Sequence, residues 1–514
     1  MRCYPTNETV DAVIIGTGAG GSPIMARLAK AGLKVVALEA GNYWNPVADF
    51  STDEIDQNKL FWPHERLSAG QDPLAFGRNN SGIGVGGSTL HYTAYTPRPQ
   101  PDNFALKTDF GLGEDWPLQY VDLEAYYDEL EQNLGISGPA VYPWGPARKT
   151  SYPLPPLALN TAAQLMERGC KPLGIKTSPA ANAALSAAYF QEHIGWRNAC
   201  TNRGFCQAGC TTGAKASMDV TLVPVAIHFG AEVRPNAFVT EIIKNKSGEI
   251  EAIVYRKDGQ EEKQLCKNVF LCAGAVETPR LLLINGLANS SGQVGKNFMA
   301  NTGLQVWGEF DELLDPWIGI PGGLISEAMH RPVDADFAGG YLIQSIGVMP
   351  VTYASQLARA TGVWGEELRE RMKAYKNVAG INMQGDCLPY EHNYLELSDE
   401  LDDMGLPKPR IHFTNGENEN RMMAHAKKVM EDIWKNAGAS HLWTMDRNAH
   451  TIGTCRMGND PERNVVDKNG QSFDIPNLYI ADNSIFPSAL SANPSLTIMA
   501  LSYRIADAFL KGLG

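Results

Sequence analysis

Three glycines and a carboxylate near the amino terminus are the side chains whose spacing speaks first of chemistry. Gly16, Gly18 and Gly21 form GxGxxG directly after the β-rich run DAVIIG, at the opening of the helical run PIMARLAKAGL. In such a turn the first glycine permits the tight bend, and the second lets backbone N–H groups approach a pyrophosphate. The third lets the helix pack close on its strand, with its dipole favouring the anion. Glu39 ends the next strand-like run, KVVALEAG, at the spacing of an acid that accepts hydrogen bonds from a ribose. A carboxylate there repels a 2′-phosphate. A bare GxGxxG is a common structural turn; the full βαβ with its terminal acid implies a dinucleotide and leaves FAD and NAD open.

A second cluster lies mid-chain. Six of the nine cysteines are scattered, but Cys200, Cys206 and Cys210 follow Cys-x5-Cys-x3-Cys in the loop CTNRGFCQAGCTTGAKAS. Three thiolates suit a 3Fe-4S cluster, because each of three irons takes one terminal ligand. Arg203 interrupts a fuller four-cysteine pattern, so a 4Fe-4S centre matches less well. A structural zinc site wants a fourth ligand, which His193 offers without its spacing compelling it, and plain buried thiols or a disulfide are the remaining alternatives.

The elements that must position these groups read as follows. Strand, glycine turn, helix and strand open the chain. From about Asn45 to Tyr152 the sequence is rich in Pro, Gly, Asn and aromatics with little clean periodicity, which predicts long excursions covering a ligand. DVTLVPVAIHFG predicts a helix, and AEVRPNAFVTEIIKN with GEIEAIVYRKDGQEEKQLCKNVFLCAG predicts strand, hairpin and strand returning to the first sheet. LQVWGEF, YLIQSIG and NYLELS, interrupted by the helical EELRERMKAYKN, point to a separate substrate-covering domain. The chain ends as strand, loop and a long amphipathic helix.

At 514 residues the chain exceeds one ordinary core, which predicts two closely packed domains. Hydrophobic residues at 44% and charged residues at 20% fit a soluble globular enzyme. A net charge of −13 with no Lys/Arg-rich run argues against nucleic acid and predicts a small, neutral substrate. No apolar run is long enough to span a bilayer, and MRCYPTNETV lacks the plan of a signal peptide, so the chain reads as cytoplasmic.

Four separated motifs tie these pieces together: IGVGGSTLHYTAYTPRP at Ile83–Pro99, VFLCAGAVETPRLLL at Val269–Leu283, HTIGTCRMG, and IADNSIFPSALSANPSLTIMAL. In this order they resemble the glucose-methanol-choline (GMC) oxidoreductases along most of the chain, least over Gly303–Asn436, which is that family's variable substrate domain. The resemblance implies an α/β fold, a Rossmann-type FAD-binding domain with an interleaved α+β substrate domain on an antiparallel sheet. The boundaries expected are 1–302 with 437–514 for the first, including the excursions 44–215, and 303–436 for the second.

It further implies FAD and a catalytic pair, matched by His450 in AHTIGTC and Asn493 in ANPSLT. An alcohol is a poor hydride donor until its proton is withdrawn. A histidine titrating near working pH suits that task, while an amide orients the hydroxyl toward flavin N5. Asn493 also reads as a helix N-cap before Pro494, and a helix starting there would aim its positive end at the flavin. Asp482 matches a position beside the ribityl and phosphates, although an Asp closing a strand is also a turn former. Val239 matches backbone that meets the adenine, and Gly86, Gly87 and Ser88 match a loop against the isoalloxazine. His91 matches the histidine that pyranose 2-oxidase and choline oxidase join covalently to FAD; other members with a histidine here carry no such link. A similar cysteine spacing occurs in bacterial FAD-dependent glucose dehydrogenases, which hold a 3Fe-4S cluster, and glucoside 3-dehydrogenases look related.

The resemblance thus implies oxidation of a sugar, glycoside or polyol hydroxyl, electrons leaving through the cluster to a cytochrome or quinone. A small partner subunit could supply export to the periplasm. The alternatives are an oxygen-using sugar oxidase like pyranose oxidase and a non-catalytic flavin-binding subunit of a redox complex.

Overall fold

A computed structural model describes residues 2–50, 53–74 and 81–513. Val10–Ile15, Val35–Leu38 and the end of Gln260–Leu271 are almost wholly buried apolar runs, the pattern of parallel strands covered on both faces. They lie side by side in the order Glu232–Arg234, Val35–Leu38, Val10–Ile15, Gln260–Leu271, with Leu478–Ile480 parallel to the last. Register does the positioning. Ile15 pairs with Leu38 and Leu271, and Leu271 with Ile480, so four strands end level. Gly16, Glu39, Cys272 and Ala481 therefore leave the sheet along one edge, where open α/β sheets bind ligands.

Gln260–Leu271 serves two structures. Its polar first half, QEEKQ, pairs antiparallel with Ile250–Lys257, which in turn pairs with Phe238–Lys244, while its apolar end enters the parallel sheet. The helix Gly21–Lys30 buries Ile24, Met25, Leu28 and Ala29 on that sheet, the spacing of one helical face.

A second sheet is antiparallel throughout, in the order His441–Asp446, Met299–Glu309, Val378–Gly385, Tyr341–Ile346, Leu324–Ser326, Ser178–Pro179. Met422, Ala426, Met430 and Ile433 of the helix Glu417–Ala437 close its inner face together with Leu165 and Met166 of Thr161–Cys170. Ala449–Ile452 pairs with the start of Met299–Glu309, and the register shifts between Ala300 and Asn301, which face Thr451 and Ala449, so His450 is the extra residue that bulges from the ladder. Gly453 N and Cys455 N donate to Asn483 O and Ser484 O at 3.0 and 2.9 Å, stitching this segment to the residues just after Asp482.

Two expectations differ from the structure. The YLELS part of NYLELS lies in Tyr394–Leu401, which pairs with neighbouring Pro407–His412 and, through it, with Leu67–Ala69 in a third sheet, whose last strand comes from distant sequence. Within the stretch expected to be loops, Tyr120–Leu134 is a helix that buries Leu123, Tyr127, Leu130 and Leu134 and ends at Gly135 in the left-handed conformation. That spacing and its glycine stop were readable signals. Among the described residues no helix is long and apolar enough to cross a membrane.

Candidate active site

Both sheets contribute to one cavity of about 1190 Å³, larger than the roughly 300–1,000 Å³ of ordinary ligand pockets and roomy enough for a dinucleotide beside a small substrate. Gly16, Gly18, Glu39, Gly87, Ser88, His91, Val239 and Asp482 line it, as do His450 and Asn493. Gly21 and Gly86 stand just behind the lining.

The glycine end is a cradle built from backbone. Gly16 takes φ +93, and a Cβ there would meet Cys272 O at 2.6 Å. Gly21 can pack on the turn only because it lacks a side chain, since a Cβ would sit 1.9 Å from Gly16 O. The Gly86–Gly87 turn, at φ +111 and +54, crosses the first turn so closely that a Cβ on Gly87 would lie 2.7 Å from Gly18 Cα. Glu39 holds the two turns together. One carboxylate oxygen accepts from Thr17 N and Oγ1 at 3.0 and 2.8 Å, the other from Gly41 N and Gly84 N at 3.2 Å. Burial pushes its pKa up against these bonds. Asp482 is engaged likewise, accepting from Gly274 N at 2.8 Å, Thr278 Oγ1 at 2.6 Å and Ser484 N at 2.8 Å. Ser88 Oγ accepts from Gly82 N at 2.9 Å. The helix Gly21–Lys30 starts at this cradle, so bare turn, close glycines and helix end fit a pyrophosphate-bearing cofactor.

The opposite wall is different. His450 sits at φ +56, its Nδ1 buried without a partner. Burial, then the charge of Arg447, pushes its pKa down to about 4. A titration point near working pH was expected; instead the imidazole is fixed in its neutral, proton-accepting form. Asn493 is buried with Oδ1 unpartnered, and Pro494 follows it into the helix Ser495–Leu513, whose start also lines the cavity. His91 packs on Phe61 at 4.4 Å between ring centres, Nε2 unpartnered, its pKa pushed down to about 3 by burial and then by Lys215.

Cys200, Cys206 and Cys210 are free, partly buried thiols. Burial raises the pKa of Cys206 to about 12, and the charges of Cys210 and Cys200 push the same way. Asn202 N and Lys215 N each donate to a sulfur at 3.4 Å, on Cys200 and Cys210 respectively. Among the described residues no three His, Cys, Asp or Glu side chains converge to grip a metal ion. His193 instead stacks on His228 at 4.8 Å.

Several residues escaped the sequence reading. Buried Lys215 donates to Leu90 O at 2.7 Å, Tyr92 O at 3.3 Å and Cys206 O at 2.6 Å, joining the two sides of His91 to the cysteine loop. Its neighbourhood is set by long-range packing that leaves no local signal. Thr17, Gln356, Arg359 and Arg447 also line the cavity.

The family model described as GMC oxidoreductase matches residues 79–302 with its amino-terminal part and 389–502 with its carboxy-terminal part. The fructose dehydrogenase large subunit of Gluconobacter japonicus is 29% identical over 99% of both chains. The 2-methyl-1,2-propanediol dehydrogenase of Mycolicibacterium austroafricanum is 30% identical over 97% of this chain and 95% of its own. The gluconate 2-dehydrogenase flavoprotein of Pantoea cypripedii is 26% identical, covering 99% and 95%. An Aspergillus oryzae formate oxidase shares the fold at TM-score 0.71 and 14% identity, over 99% of this chain and 100% of that one.

Proposed function

Because the chain belongs to the GMC oxidoreductase family and is a FAD-dependent enzyme, we propose that it oxidises a hydroxyl of a sugar, glycoside or polyol, with His450 and Asn493 as its reacting wall. The observation that carries this reading is that His450 and Asn493 line the same cavity as the glycine cradle, each with a buried polar atom that no protein group engages. FAD, when bound, supplies the two-electron acceptor. Gly16, Gly18, Gly21 and the Gly86–Ser88 turn would hold its pyrophosphate and ring side, Val239 would meet its adenine, and Glu39 and Asp482 brace these loops. His450, held neutral, withdraws the substrate's hydroxyl proton, and Asn493 fixes the direction of the C–H bond. The positive end of Ser495–Leu513 favours negative charge at this wall. His91 presents a neutral Nε2 suited to a covalent link to the cofactor.

In the same reading Cys200, Cys206 and Cys210 hold a 3Fe-4S cluster, which supplies single-electron transfer to a cytochrome or quinone. Support comes from the three unbridged thiols and from Lys215, which spans from the His91 loop to Cys206. A relative named as a large subunit supports a small partner subunit.

Anaerobic titration with sugars, glycosides and polyols tests the activity: at least one should bleach the flavin, and failure of all would make the chain a silent binding subunit. Metal analysis and electron paramagnetic resonance test the cluster, with about three irons per chain expected. Cys206→Ser should lose that iron while flavin reduction persists. Flavin bands alone, with peroxide released on turnover, would leave an oxidase.

A further inference from the structure

Four arginines line the cavity, and they are used in two ways. Arg66 pairs with Glu277 at 2.9 Å, and Arg280 with Glu277 and Asp402 at 3.0 and 2.6 Å. Arg447 and Arg359 make no ion pair with any described residue: of the carboxylates lining the cavity, Glu277 pairs with Arg66 and Arg280, and Glu39, Asp72, Asp446 and Asp482 pair with neither. Arg359 hydrogen-bonds Met445 Sδ at 3.2 Å, a neutral partner. In a chain with a net charge of −13, two adjacent guanidinium groups left without carboxylates are conspicuous.

Arg447 is held by its backbone alone. Its N–H donates to Gly303 O at 2.8 Å, and a Cβ on Gly303 would lie 1.8 Å from Arg447 O, so the two strands meet there without room for a side chain. The guanidinium is thereby placed three residues from His450 with every donor free. Burial and the charge of Arg359 push its pKa down to about 10, the mark of a cation short of counter-charge. Gln356, from the same helix as Arg359, is 6% exposed and offers these guanidinium groups no charge. Two guanidinium groups so placed want an anion.

Resting on the reading of this cavity as an alcohol-oxidising site, we propose that its substrate is a polyhydroxy carboxylate, with the carboxylate held by Arg447 and Arg359. This replaces the neutral substrate expected from net charge, because net charge describes the whole surface and not the lining of one cavity. An unpaired guanidinium held, as Arg447 is, in a confined site is costly until an anion arrives, exposed Arg359 adds positive charge beside it, and a carboxylate matches a guanidinium fork with two charge-assisted bonds.

The test uses FAD-loaded enzyme and two pairs of probes. Pentanoate and pentanamide carry no hydroxyl; their binding is read from perturbation of the flavin spectrum. D-gluconate and D-glucitol differ only in carboxylate against CH₂OH at one end and are compared by anaerobic flavin reduction. Pentanoate should bind about 10- to 100-fold more tightly than pentanamide, and gluconate should exceed glucitol in kcat/KM by a similar factor. Arg447→Met should erase both preferences and Arg447→Lys restore part of them; Arg359→Met, on an exposed helix position, should weaken both should Arg447→Met fail to fold. Equal binding of acid and amide, or flavin bleached by neutral polyols with carboxylates neither reacting nor competing, overturns the inference and leaves the alcohol oxidation standing. Selective carboxylate binding with no alcohol of either kind bleaching the flavin upholds the anion site and instead removes the proposed activity.

Discussion

The two ends of the cavity treat their polar atoms in opposite ways. At the glycine end Glu39, Asp482 and Ser88 spend their acceptors on backbone N–H groups and one threonine hydroxyl each for the two acids, so this end is complete as protein. At the other end His450, Asn493 and Gln356 each keep a buried atom without a partner. A buried polar atom left unpaired costs about 1–3 kcal/mol, so the first end supports the fold whereas the second draws on it. Binding of the cofactor needs a shape that exists beforehand; reaction needs hydrogen-bonding capacity held back for a substrate. Changes at the two ends should therefore separate stability from rate.

The largest effect is expected from His450→Ala. Removing a positioned base should slow anaerobic flavin reduction by about 10²- to 10⁴-fold while bound flavin and melting temperature stay near wild type. Unchanged reduction in stopped-flow traces would strip His450 of its role. Glu39→Ala should do the reverse. It leaves Thr17, Gly41 and Gly84 N–H groups without their acceptor, which should cost on the order of 3–5 kcal/mol, seen as a lower denaturation midpoint and lost flavin. A variant that melts normally would show that the glycine end is not held as described.

Asn493→Leu sharpens the contrast. It removes an amide whose oxygen is unpaired, so stability should hold or rise by up to about 1 kcal/mol while flavin reduction falls by about 10- to 100-fold. Loss of both would mean that Asn493 supports the helix start and does little else.

The same contrast explains what the sequence revealed. The glycine end was legible because its chemistry is local: GxGxxG, its strand and Glu39 lie within one βαβ unit, and three positions carry the turn. His450 and Asn493 were found only through motif resemblance, since nothing near either residue states that its partner is missing. Arg447 was invisible for that reason; whether an arginine is paired depends on carboxylates anywhere in the fold, and Arg66 and Arg280 look no different in the chain. Tyr394–Leu401 was read as a strand but not assigned to its sheet, because pairing with Leu67–Ala69 by way of Pro407–His412 spans more than three hundred residues.

The smallest effect belongs to pH, and it joins the two halves of the comparison. His450 and His91 carry pKa values lowered from 6.5 to about 4 and about 3, so between those values and 6.5 the unfolded chain binds more protons than the folded one. Stability should then rise with pH across that window and fall as acid is added, because protonation favours the unfolded state. Flavin reduction should stay flat above about pH 5 and decline only as His450 takes its proton near 4. His91→Gln should flatten the stability slope without moving the kinetic midpoint, since His91 serves the cofactor side and His450 acts on substrate. Denaturation midpoints and single-turnover rates measured from pH 4 to 8 read both. A kinetic midpoint near 6.5 would mean that the imidazole is not desolvated as the cavity implies.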